Sequence, residues 1–276
     1  MLLVIPIWYG DKKYISCEIK RPKGRVLADT KKIYENGNLF LAMHHFIASC
    51  ITELADENGN FINDQRQIKE ITREMKQKTA EKLAIDIMLK FDSDDYVEGI
   101  YNCPRCKNQI ICEKTLDFDT RDRIADLNIC SYDKENDYFE IELSEPFIIK
   151  DNKGQILEEF EQINTLGFRH NTINDVIDAY ARYGMHDKTR MQYLLYVKAL
   201  KTINGHEIDE IYRKTWGLYF FEEYDVIEDI NKIAREMNKY GLDTSVEKLC
   251  NKCGKVFRTH LNTSNFFGSA LLSDET

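Results

Sequence analysis

YNCPRCKNQIIC (residues 101–112) and LCNKCGKVFRTH (residues 249–260) belong together, because each holds a C-x2-C pair with a turn residue beside it. Pro104 lies inside the first pair and Gly254 follows the second. Two residues between thiolates let the backbone wrap a metal ion while its N–H groups turn toward the sulfurs. A tetrahedral zinc ion takes four soft ligands, and Cys103, Cys106, Cys250 and Cys253 supply them. If both knuckles hold one ion, the chain leaves the site at Cys106 and returns to it at Cys250. Everything between is then an insertion in a split zinc ribbon. Four thiolates close the coordination sphere, so such an ion is structural, whereas a catalytic zinc keeps one position open for water. Cys112, Cys130 and His260 are the spare candidates for a ligand position.

Working outward, the 276 residues suffice for one large domain or two ordinary ones. A hydrophobic share of 43% and a charged share of 31% match a soluble globular protein able to bury a core. The net charge of −9 repels nucleic-acid phosphates at long range, so nucleic-acid binding requires a local basic patch. Eight cysteines, four of them in C-x2-C pairs, fit metal binding in a reducing compartment better than a disulfide framework. The opening MLLVIPIWYG has no cationic region and is interrupted by Pro6 and Trp8, which argues against a signal peptide. Residues 39–51 form the longest apolar window and are too short to span a bilayer. A cytoplasmic or particle-bound protein is expected.

Residues 3–9 and 14–20 flank a polar turn and read as a β-hairpin, with Cys17 facing the core. The basic run from Lys20 to Arg25, with Lys31 and Lys32, reads as a solvated strand-to-helix junction in preference to a site for an acidic partner. Residues 26–55 read as helical with a break near 36–38. His44 and His45 are structural on this reading, since adjacent helical positions point in different directions. After a loop over 56–63, Asp64 caps a helix expected to run to about Lys90. Residues 110–118 and 138–149 read as strands, the second with Phe139, Ile141 and Leu143 on its buried face. Residues 160–172 read as connecting structure, and 191–203 as a buried helix closed by Asn204 and Gly205. Glu222, Glu223 and Asp225 suit the start of a further helix, which carries an apolar stripe through Ile233 and is capped by Gly241.

The fold class read from this is α+β, in three regions. Residues 1–95 hold the N-terminal β-hairpin and helices. Residues 96–165 hold the first knuckle and a β-rich insertion, with a small antiparallel sheet in the split ribbon. Residues 166–276 form a helical subdomain that closes with the second knuckle and a Phe-rich tail. No phosphate-binding Gly-rich loop, G-x-S-x-G elbow or H-E-x-x-H helix occurs, so no enzyme is expected. The knuckles carry Arg105, Lys107, Lys114, Lys252, Lys255 and Arg258, a modest local excess of positive charge on an acidic protein. That footprint weighs for a structural or protein-contact role over a nucleic-acid-binding regulator.

The last third of the chain carries YLLYVKALKTING (193–205), EEYDVIEDINKI (222–233), CNKCGKVF (250–257) and NFFG (265–268). This order resembles the baseplate and hub-assembly proteins of contractile-tailed bacteriophages of the T-even type, which carry C-x2-C knuckles and a Phe-rich end. CEIKRPKGRVLAD (17–29) is similar, over a shorter stretch, to the strand-to-helix opening of Mu-type tail assembly chaperones. The resemblance implies a non-enzymatic component of a phage tail or baseplate, found in the virion or in the host cytoplasm during assembly. Its partners would be tail, baseplate or tape-measure proteins, with no small-molecule substrate and no membrane. Phe266 and Phe267 would dock against a partner or anchor on this protein's own ribbon.

Overall fold

Pro6 decides how the first sheet begins. It has no N–H to donate, and it falls where β1 (Leu2–Tyr9) slips out of register with β2 (Lys12–Ile19), between Leu2 and Ile7. The peptide groups of Ile5 are left to find another partner. Thr79 of the helix at Gln77–Phe91 supplies it: Ile5 N–H donates to Thr79 Oγ1 at 3.0 Å, and that hydroxyl lies 3.0 Å from the Ile5 carbonyl. One threonine thereby fastens a helix to an irregular strand.

The computed structural model describes residues 1–91, 96–115, 137–148, 162–184, 186–208, 227–239 and 245–260. The fold is α+β, mixing helices with small antiparallel sheets. The chain forms two compact units, residues 1–124 with 241–276, and residues 125–240.

In the first unit, the β1–β2 hairpin turns at Gly10 (φ 58°) and Cys17 faces the core, as the alternation predicts. The basic junction leads into α1 (Gly24–Glu35) and α2 (Leu39–Cys50). The expected helix over 26–55 ends early. Ile51–Asp56 is a strand, β3, which pairs with β2 and with β4 (Phe61–Ile62) to complete a sheet ordered β1-β2-β3-β4. Ile51 and Thr52 are β-branched, and Leu54 is fully buried opposite Cys17, so sheet burial outweighs helix propensity there.

The helix expected from Asp64 to Lys90 is also divided. Asp64 does cap α3 (Gln65–Ile71), accepting from Gln67 N–H at 2.8 Å. A 3-10 turn at Thr72–Glu74 and an extended Met75 follow before α4 (Gln77–Phe91). The Thr72 hydroxyl reaches back to the Lys69 carbonyl and meets His44, competing with the helical ladder. Met75 is turned into the core at the break, where it is 1% exposed.

Two separate hairpins belong to the same unit: β5 (Tyr96–Asn102) with β6 (Gln109–Thr115), and further along the chain β11 (Ser245–Leu249) with β12 (Val256–His260).

The second unit holds a sheet ordered β10-β9-β8-β7. Its strands are β7 (Phe139–Phe147), β8 (Ile163–Phe168), β9 (Leu200–Ile203) and β10 (His206–Glu207). The alternation in β7 holds, with Phe139, Ile141 and Leu143 in the core. Residues 163–168, expected as connecting structure, form a strand inside this sheet. Ile163, Leu166 and Phe168 are all buried there, although Gly167 interrupts the apolar run.

The expected helix over 191–203 stops at Ala199, where α6 (Lys188–Ala199) runs directly into β9. Asn204 (φ 50°) and Gly205 (φ 75°) do not cap a helix. They are the two-residue turn of the β9–β10 hairpin, which needs left-handed residues at both positions. A capping box between Thr172 and Asp175 opens α5 (Ile173–Tyr183), and α7 (Ile227–Lys239) packs on β7. Gly241 and Glu222, Glu223 and Asp225 lie outside the described residues. No described helix is long and apolar enough to cross a membrane.

Candidate metal centre

Each knuckle is built by the same two backbone bonds. In the first, Cys103 N–H donates to the Asn108 carbonyl at 2.8 Å and Lys107 N–H to the Cys103 carbonyl at 2.9 Å. In the second, Cys250 N–H donates to the Lys255 carbonyl at 2.9 Å and Gly254 N–H to the Cys250 carbonyl at 2.9 Å. Closing so tight a loop needs a left-handed residue just after the second cysteine. Gly254 takes it at φ 67°, and Lys107 takes it at φ 59° without glycine's freedom. The tips then meet side by side, and Asn108 Nδ2 donates to Asn251 Oδ1 at 3.0 Å.

The four sulfurs expected from the sequence converge. Cys103 Sγ lies 3.7 Å from Cys253 Sγ, and Cys106 Sγ lies 3.6 Å from Cys250 Sγ. All four sulfurs lie within 4.8 Å of one another, an arrangement that could hold a metal ion. Cys103 and Cys250 are fully buried, while Cys106 and Cys253 are half-buried.

The local electrostatics favour thiolate, up to a limit. The N–H of Cys106, helped by that of Arg105, pulls the Cys103 thiol down to about 6 against the cost of burial. Burial opposes ionisation at Cys250, but the N–H groups of Cys253 and Lys252 outweigh it and the thiol is lowered. The N–H of Lys255 works in the same direction at Cys253. There burial and the three neighbouring sulfurs prevail, raising that thiol to about 11. Four sulfurs this close do not all ionise on their own. A cation among them removes the conflict, so the donor set fits a soft divalent ion.

Cys112 is not part of this group. It sits in β6 opposite Gly99, fully buried, and burial raises its thiol. His260 ends β12 opposite Ser245. Cys130, Phe266 and Phe267 lie outside the described residues. His44 and His45 stand apart from the cluster. His44 is 1% exposed, with Nε2 3.1 Å from Thr72 Oγ1.

Two other convergences were not legible in the sequence, because their members lie far apart along the chain. Ser144, Asp229 and Lys232 meet between β7 and α7. The Ser144 N–H and hydroxyl donate to Asp229 at 2.9 and 2.8 Å, and Lys232 Nζ donates to Ser144 Oγ at 2.9 Å. The hydrogen bond that Lys232 donates to Asp229 raises the Lys232 ammonium, which makes it a poor proton acceptor for the serine. The trio serves as a staple between strand and helix. His170 Nδ1 lies 2.6 Å from Asp137 Oδ1, with both side chains buried. Comparison with protein-family models, curated proteins and solved structures found no match to this chain.

Proposed function

We propose that this chain is a non-enzymatic structural and assembly protein whose split ribbon is clasped by one structural zinc ion. The observation that carries the reading is the convergence of four cysteine sulfurs from two sequence-distant knuckles. A tetrahedron with metal–sulfur bonds of about 2.3 Å has edges of about 3.8 Å, a spacing that suits zinc. Two of the sulfur pairs, at 3.6 and 3.7 Å, are near that edge. A closed four-thiolate shell leaves no position for a substrate or a reactive water, so the ion's work is to hold shape. Together with the resemblance to T-even-type proteins, this supports a component or assembly factor of a contractile phage tail or baseplate.

Elemental analysis of the purified chain tests the metal, with one zinc per chain expected and its loss in Cys250→Ser. Co-expression with tube, tape-measure and baseplate proteins tests the assembly role. A stable complex with at least one of them is expected, and consistent failure to associate would count against that role.

A further inference from the structure

The knuckle tips carry positive charge in an arrangement the metal centre does not require. Arg105, Lys107, Lys252 and Lys255 are all exposed, and none is ion-paired among the described residues. No Asp or Glu occurs between Tyr101 and Cys112 or between Lys248 and Phe257, on a chain whose net charge is −9. The bond between Asn108 and Asn251 holds the two tips together, so cations from both knuckles share one surface.

We propose that this surface binds the phosphodiester backbone of a nucleic acid. The composition of the tip favours phosphate over an acidic protein. Three of the four cations are lysines, a residue depleted from protein–protein interfaces. Beside them stand the exposed side-chain amides of Gln109 and Asn251, which are the groups that phosphate and sugar contacts draw on. At the base of the second knuckle, Leu249 and Val256 pair across the hairpin and are 62% and 52% exposed. They give sugars and bases an aliphatic contact without an aromatic stacking platform, so recognition is led by the backbone and is indifferent to sequence.

The inference rests on the two tips being held together by the metal clasp, and zinc content is therefore measured on every sample. The full chain is titrated by fluorescence anisotropy with a labelled oligothymidylate and, separately, with a labelled short duplex. Four phosphate contacts give a slope of log affinity against log salt of about −3.6 on duplex and about −2.8 on single strand. Duplex affinity should then fall on the order of 10²-fold between about 50 and about 200 mM salt. Replacing all four cations (Arg105→Gln, Lys107→Gln, Lys252→Gln, Lys255→Gln) should abolish most of the binding and flatten the slope, with zinc content unchanged. The double variant Lys252→Gln/Lys255→Gln should remove about half of the slope, and it decides the matter if the quadruple variant fails to hold zinc. Absence of binding at low salt, or variants that bind as the parent does, overturns the proposal. So does displacement of the oligonucleotide by polyglutamate at matched charge, which assigns the surface to an acidic protein. One zinc per chain without oligonucleotide binding rejects this inference alone and leaves the clasp standing.

Discussion

His44 is packed into α2 among apolar neighbours and held neutral. Burial is the main cause, and the nearby positive charge of Arg73 adds to it, lowering the imidazole to about 4. An unfolded chain titrates the same group near its ordinary value of about 6.5. Below that pH the unfolded state takes up a proton that the folded state refuses, so stability is complete above about 6.5 and drains away as pH falls toward about 4. The full loss at this one residue is on the order of 3 kcal/mol. Urea denaturation at neutral pH and near pH 4.5, compared between the parent and His44→Gln, isolates the effect. The parent should lose more stability than the variant on acidification, and equal losses would remove His44 as the cause. The histidine pair was readable from sequence as structural because it lacked other ligand types nearby. Its contact with Thr72 was not, since it depends on the helix break that brings Thr72 beside α2.

Elements were legible where a single face is buried and ambiguous where burial surrounds the chain. The β1–β2 hairpin and β7 alternate between core and solvent, so period two identifies them directly. Ile51–Asp56 and Leu200–Ile203 each continue straight from a helix whose last turn is mostly buried, and no turn residue marks the junction. In both places the strand is set by long-range pairing, with β2 in one case and β8 in the other. The knuckles escaped this ambiguity because cysteine spacing is a chemical signal and does not depend on burial.

Within the second sheet, Gly167 stands between Glu140 of β7 and Thr202 of β9. A methyl at this position would overlap the Thr202 hydroxyl and the ring of Tyr138, which hydrogen-bond each other at 2.9 Å. Gly167→Ala should therefore destabilise this unit by about 1–3 kcal/mol, the usual cost of overpacking. Chemical denaturation followed by circular dichroism reads it, and an unchanged midpoint would show that the sheet yields without strain.

At the scale of the whole chain, the four-cysteine cluster joins residues 144 and 150 positions apart. Among the described residues neither β5–β6 nor β11–β12 has a third strand in its sheet, and two-stranded hairpins are marginal alone in water. On chain-entropy grounds, closing so long a loop is worth about 4–5 kcal/mol. Chelation of the proposed zinc, or Cys250→Ser, should lower the melting temperature. It should also speed amide hydrogen exchange over 245–260 far more than over the β1–β2 hairpin. Equal protection in both segments after chelation would mean that packing alone holds the second hairpin.

The separation of the two knuckles also sets an order of events during synthesis. Cys103 and Cys106 leave the ribosome as half a ligand set, and the other half follows 144 residues after Cys106. At about 5–20 residues per second, that interval lasts roughly 7–30 s. Throughout it the first pair of thiols must be kept reduced and either bare or borrowed by another ligand. The nascent chain therefore acquires its fastening only after the whole stretch between the two knuckles has been made.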